Sequence, residues 1–300
     1  MTDQHSRRRG WLPDALAPAS GIVTDAPKPL EGGEMDLTAV AAYRRATTRQ
    51  DLALSPGERF LAGGTWLFSE PNRDITGLVD LSTMPWAPLE VSQDGLRIGA
   101  TCTIAQLLEL PAHLGWRAQP LFEDAANALL ASFKIWNEAT VVGNVCRAYA
   151  AAAMLAACAT LDGVAEIWEP GGGTRHEPVA SLPTGNGTTS LAHGEAVRAI
   201  DIPSRALEGR TALRKIALAE LGRSGAVVTG RADADGSFTI VVTAATLKPT
   251  VLRYPIPPSP ARVADDVRAS DGFYTDALGS EDWRRHVAGV LAAEIVEELS

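Results

Sequence analysis

The chain has 300 residues, 46% of them hydrophobic and 21% charged, an ordinary balance for a globular protein of two or three domains. A net charge of -9 argues against a nucleic-acid backbone as partner, because that needs a concentrated basic surface. No apolar run reaches the roughly 18 residues that cross a bilayer. Cys102, Cys146 and Cys158 form no C-x-x-C pair, and the five histidines show no ligand spacing, so the sequence encodes no zinc or iron–sulfur site. Scattered, odd-numbered cysteines fit a reducing cytoplasm.

In chain order, residues 1–34 read as a disordered extension. Its three arginines precede an apolar stretch, but Pro13, Asp14 and Pro18 break the run that an export signal would need. Ordered sequence begins near Met35. Residues 37–46, "LTAVAAYRRA", look helical, whereas "RFLAGG" and "GLVDLS" look like strands, so this region reads as small α/β units. Next comes a strand over 96–99. Thr103 then caps a helix, with Gln106 three residues on in capping-box spacing and Ile104, Leu107 and Leu108 on one face. Further helices are expected over 122–133 and in the alanine-rich segment 145–161, ended by Gly163. Residues 164–205 read as strands and turns, with a hairpin connection at 171–173. From Arg210 three strands follow, the last two joined by an Asp235-Gly236 turn. Ser280 caps a closing helix in which Trp283, Val287, Leu291 and Ile295 form a core-facing stripe.

The sequence contains no P-loop, no G-x-G-x-x-G and no G-x-S-x-G elbow; "GNGTTS" at Gly185 lacks a third glycine. Two other segments stand out. Ala62-Gly63-Gly64-Thr65-Trp66 and Thr140-Val141-Val142-Gly143-Asn144 each join a hydroxyl residue and glycine at the end of an apolar run. Glycine lets successive backbone N–H groups face outward with no Cβ in the way, and such groups make a concave anion site. A diphosphate needs several donors of this kind, which two loops could supply together. A Gly-Gly pair is also an ordinary tight turn, and spacing alone leaves both readings open.

With these motifs the sequence resembles the flavin-binding subunit of molybdenum hydroxylases, the group of xanthine dehydrogenases, carbon monoxide dehydrogenase and nicotine-type dehydrogenases. "AGGTWLF" stands where the family has its AGGT/H-x-L loop, and "TVVGN" where it has T-x-G-G-N/D. "IGATCTIAQL" lies between them. "TAATLKPTVLR" and "DWRRHVAGVLAAEI" resemble its C-terminal segments. The resemblance runs from about Met35 to the end. It implies an α+β chain: a two-subdomain α/β FAD-binding domain of the PCMH type over 35–205, then a C-terminal α+β domain over 206–300.

The resemblance further implies FAD held by Ala62, Gly63, Gly64, Thr65 and Trp66 from the first loop. Thr140, Val142, Gly143 and Asn144 follow from the second, and Lys215 from the C-terminal domain. The implied partners are a molybdenum-cofactor large subunit and a 2Fe-2S small subunit, with NAD as a candidate acceptor. The chain then carries no catalytic acid or base of its own and is not active on substrate alone, because the flavin carries the redox chemistry. Four departures stand out. Val142 replaces a glycine, which would obstruct a ligand if its φ were positive. Tyr149-Ala150 replaces an Asp-Pro-like pair, and Ala153 an aspartate. Each lost hydrogen bond weakens the complex by about 0.5–1.5 kcal/mol. Trp66 replaces a smaller residue, and either packs or shields the flavin edge. Two other readings stay open: a structural subunit that has lost FAD, and a stand-alone flavin oxidase.

Overall fold

The protein is described by a computed structural model over residues 39–300, Pro71 and Leu221 excepted. The extension expected over 1–34 lies outside the described residues.

The first element corrects the sequence reading. Residues 42–45 are not helical: β1 (Ala42–Arg45) runs parallel to its neighbour in a three-stranded sheet, formed with β2 (Glu58–Leu61) and β3 (Gly77–Asp80) in the order β1-β3-β2. Tertiary partners override alanine's helix preference here. The Tyr43 hydroxyl donates to Asp80 at 2.6 Å, and Arg44 donates to both oxygens of Glu58 at 3.1 and 2.9 Å. The central strand, β3, is buried at all four positions.

β4 (Leu89–Val91) and β5 (Gly95–Gly99) begin a second, antiparallel sheet. Five helices follow before it resumes. The first is α1 (Ile104–Leu108), with the expected capping box: Thr103 Oγ1 accepts the Gln106 N–H at 3.1 Å and Gln106 accepts the Thr103 N–H at 2.9 Å. Instead of one helix over 122–133, α2 (Pro120–Ala128) starts earlier, with proline in its first turn, and ends when Leu129 turns extended. A single turn, α3 (Phe133–Trp136), comes next.

The alanine-rich helix is likewise two: α4 (Val141–Arg147) and α5 (Ala153–Thr160). The break falls where Ala148 adopts the left-handed region, at φ 49°. Asn186 and Gly187 staple it, through Asn186 Oδ1 accepting the Ala150 N–H at 3.0 Å and the Gly187 N–H donating to the Ala148 carbonyl at 2.8 Å. Asp162 (φ 53°) closes α5, and the Gly163 N–H returns to the Cys158 carbonyl at 2.7 Å. This is the Schellman pattern, with aspartate rather than glycine in the left-handed position.

β6 (Val164–Trp168), β7 (Thr174–Pro178), a short ribbon of β8 (Pro183–Gly185) and β9 (Thr188–Thr189), and β10 (Ala196–Pro203) complete this half, with sheet order β4-β5-β10-β6-β7. After α6 (Ser204–Leu207) comes a four-stranded antiparallel meander: β11 (Arg210–Ala217), β12 (Ser224–Ala232), β13 (Phe238–Thr243) and β14 (Thr250–Tyr254). The β12–β13 turn is the expected Asp235-Gly236, with φ 87° at the glycine. α7 (Pro260–Ala269) and α8 (Glu281–Leu299) pack together, and α8 lies on β11 and β12.

Two apolar clusters result. One joins the helices to the first two sheets, and the other fills the meander under α7 and α8. The buried face of α8 is rotated by one residue from the expected stripe. Arg284, Ala288, Ala292, Ile295, Val296 and Leu299 are buried, while Trp283, Val287 and Leu291 are half-buried. Arg284 takes the inner position because its guanidinium is satisfied there by the carbonyls of Ala244 and Gly279 and by Asp276. α5 lies between the two halves. It packs on α2 and α4 and also on β12 and β13, so all eight of its residues are buried.

Candidate functional site

The two glycine-containing loops meet. β2 ends where the Leu81 N–H donates to the Leu61 carbonyl at 2.8 Å, and the chain then leaves the sheet through Ala62 and Gly63. A Cβ on Gly63 would lie 1.7 Å from the Glu138 carbonyl oxygen and 2.7 Å from its carbonyl carbon. The first loop therefore rests directly on the backbone that leads into Thr140, which only glycine permits. Gly64 turns left-handed, at φ 68°. The turn beyond is closed by Phe68 N–H to Gly64 O and Ser69 N–H to Trp66 O, both 3.0 Å, and by the Ser69 hydroxyl to Thr65 O at 2.7 Å. Among the described residues, none of the N–H groups from Gly63 to Leu67 donates a hydrogen bond. Half-buried donors in succession, all unspent, form the concavity that an anion fills.

The second loop is fixed from below. The Ile104 N–H donates to Ala139 O at 2.9 Å and the Val141 N–H to Cys102 O at 3.0 Å, which ties residues 139–141 to the capping-box segment. Thr140 caps α4, its hydroxyl accepting the Gly143 N–H at 3.0 Å. Asn144 Oδ1 accepts the Leu155 N–H at 3.4 Å and so links α4 to α5. Val142 lies within α4 at negative φ, 3% exposed, with its methyl groups in the apolar cluster, so the obstruction conditional on positive φ does not arise. Ala153 is buried where the aspartate of the resemblance would stand, and no polar group replaces it there. Lys215 lies on β11 opposite Val227 and makes no hydrogen bond with either loop.

The structure adds two residues that the sequence reading passed over. Arg147, the last residue of α4, is held between two rings: its guanidinium carbon lies 4.5 Å from the Trp66 ring centre and 4.4 Å from that of Tyr149. The two rings meet edge to face at 4.8 Å and 76°. Arg147 donates to the Tyr149 hydroxyl, yet its Nε is buried with no partner, and no carboxylate pairs with it among the described residues. A signal was available, since Arg147 is the one cationic residue between Lys134 and Arg175.

Burial pushes the thiols of Cys102, Cys146 and Cys158 up to about 12. No cluster of three or more histidine, cysteine or acidic residues could hold a metal ion among the described residues. What the site offers is donors: five backbone N–H groups and a guanidinium.

Residues 38–205 match the family model described as the FAD binding domain in molybdopterin dehydrogenase. Among solved structures, reconstituted CO dehydrogenase from Oligotropha carboxidovorans aligns over 87% of this chain and 97% of its own, with TM-score 0.72 and 21% identity. Quinoline 2-oxidoreductase from Pseudomonas putida 86 aligns over 86% and 96%, with TM-score 0.71 and 21% identity. CO dehydrogenase from Hydrogenophaga pseudoflava aligns over 86% and 96%, with TM-score 0.72 and 19% identity. At these identities the structures share the fold. No match is found among curated proteins.

Proposed function

The chain belongs to the FAD-binding domain family of molybdopterin dehydrogenases, with FAD as its cofactor, and on that premise we propose that it is the electron-transfer flavoprotein subunit of a multi-subunit molybdenum hydroxylase. The observation that carries this reading is the contact of Gly63 with the Glu138–Ala139 backbone that leads into the second loop, together with the unspent N–H groups of Gly63 to Leu67. A diphosphate matches that donor set in charge and in number of acceptors.

In this reading Ala62 to Trp66 form the floor of the diphosphate site, and Thr140, Val142, Gly143 and Asn144 its wall. Thr140 and Asn144 act by fixing α4 and α5, because their side-chain oxygens are occupied in doing so. Lys215, on β11, is the candidate for the isoalloxazine side rather than for the diphosphate. FAD supplies two-electron and one-electron redox chemistry, and the protein binds and orients it. The partners are a subunit carrying the molybdenum cofactor, where the substrate is oxidised, and a 2Fe-2S subunit that relays electrons to this chain. NAD is the proposed acceptor, and the chain alone turns over no substrate.

The test is purification of the full chain with and without such partners, in excess FAD. Flavin absorbance near one per chain, bleached when the partner complex receives substrate, is the expected result. A preparation that stays colourless in both forms overturns the proposal.

A further inference from the structure

We propose that Arg147, clamped between Trp66 and Tyr149, is the residue that carries the positive charge of the dinucleotide site and binds the diphosphate directly. The inference rests on the FAD reading above and extends it to residues that no loop motif contains.

The argument is one of unsatisfied groups. A guanidinium has five N–H donors and a charge that burial penalises. Arg147 spends one donor on the Tyr149 hydroxyl, a neutral acceptor, and presents its cation to two ring faces. Its Nε remains buried and unpartnered. Trp66, one wall of the clamp, is itself in the first glycine loop, so the guanidinium lies against the side chain of the loop whose N–H groups from 63 to 67 are unspent. The unspent N–H groups of residues 63–67 and the guanidinium are all donors, and the complement of such a set is an oxyanion with several acceptors. The clamp also limits the cost of waiting. Stacked guanidinium is pre-organised, because its planar fork is already oriented by the rings. Gly187 leaves room for the Tyr149 ring, because a Cβ there would come within 3.2 Å of it. Arg147 and Tyr149, which stands where the resemblance expects an Asp-Pro-like pair to begin, thus form one device: Tyr149 positions, and Arg147 binds.

The experiment uses the full chain freed of flavin and titrated with FAD at several salt concentrations. Arg147→Met keeps the stacked stem and removes the charge. FAD affinity should fall roughly 10- to 100-fold, the value of a charge-assisted bond, and the remaining affinity should depend less on salt than in the wild type. Arg147→Lys should recover part of both. Tyr149→Phe keeps the ring, loses the hydroxyl, and should weaken FAD by a smaller factor. It decides the case should Arg147→Met not fold. Wild-type affinity in a folded Arg147→Met, or a loss of affinity with unchanged salt dependence, overturns the role of Arg147. A wild-type chain that binds no FAD overturns the functional reading itself, and this inference with it.

Discussion

Asp162→Asn tests how the two halves of the molecule are held together. Asp162 closes α5 in the left-handed conformation and receives three arginines. Arg231 reaches it from β12 at 2.7 Å, Arg253 from β14 at 2.6 Å and Arg205 from α6 at 2.8 Å. The three are unequal. Arg205 and Arg253 are 64% and 56% exposed, so each of those pairs contributes at most about 1 kcal/mol. Arg231 is 1% exposed. Stripping a buried arginine of its sole partner costs about 3–5 kcal/mol. Arg231, however, keeps Asp233 at 2.8 Å and the Thr160 carbonyl. Asparagine also tolerates the left-handed conformation and keeps one acceptor. The expected loss is therefore about 2–3 kcal/mol. Burial pushes the Asp162 carboxyl up, but Arg231 and Arg253 outweigh it and hold it below its ordinary value. A group depressed in the folded state stabilises fully above its unfolded value, about 3.9, and loses that contribution as pH falls through the folded value. Urea denaturation of wild type and variant should thus give a constant difference above about pH 5 that shrinks below about pH 4. A deficit under about 0.5 kcal/mol at pH 7, well short of the buried-pair value, refutes the reasoning, as does a deficit that stays unchanged at the acid end.

Three further perturbations probe the site and its support. Gly63→Ala places a methyl group 1.7 Å from the Glu138 carbonyl oxygen, so the loops must part; flavin content should collapse and the melting midpoint drop, and a fully loaded variant with native melting would contradict the loop contact. Thr140→Val removes the acceptor of the Gly143 N–H with little change of shape and should cost about 1 kcal/mol of stability by chemical denaturation; an unaltered midpoint would mean that the cap is not needed. Cys102 and Cys158, with thiols raised to about 12 by burial, should resist a disulfide reagent at pH 8 until denaturant is added, and rapid labelling of the native chain would show that they are accessible.

How far the sequence could be read depended on the range of the interactions involved. The capping box at Thr103, the Asp235-Gly236 turn and the closing-helix cap at Ser280 were legible because each is decided within a few residues. Both glycine loops were legible as a pair only through family resemblance, since the contact of Gly63 with Glu138 spans 75 positions, 138 minus 63, and leaves no local trace. What failed was non-local. Residues 42–45 became a strand because Asp80 and Glu58 stand across from them. The alanine-rich stretch broke at Ala148 because Asn186 and Gly187 take its backbone groups. On α8 the inner face moved by one residue because distant carbonyls accept Arg284. The Arg147 clamp is illegible for a related reason: it depends on Trp66, 81 positions away, 147 minus 66, lying against α4.

The C-terminal half bears on the geometry of the clamp. Ala244, just past β13, adopts φ 61°, a conformation that costs a non-glycine residue roughly 1–2 kcal/mol. Two bonds hold it there. Its N–H donates to the Ala150 carbonyl at 2.6 Å, and its own carbonyl accepts from the buried guanidinium of Arg284. Ala150 follows Tyr149 directly and is itself tied to Asn186. The segment 148–152 that positions the clamp is thus fixed from two sides, by the Asn186-Gly187 turn and by the meander. α5 carries the same coupling in its packing. Its alanines let β12 and β13 approach on one side while α2 and α4 approach on the other, which a leucine-faced helix would prevent. Alanine at seven of the ten positions 150–159 is then not a failure to build a core. It is what allows one helix to serve two clusters, and it makes the position of Arg147 depend on the whole described chain rather than on the loop that contains it.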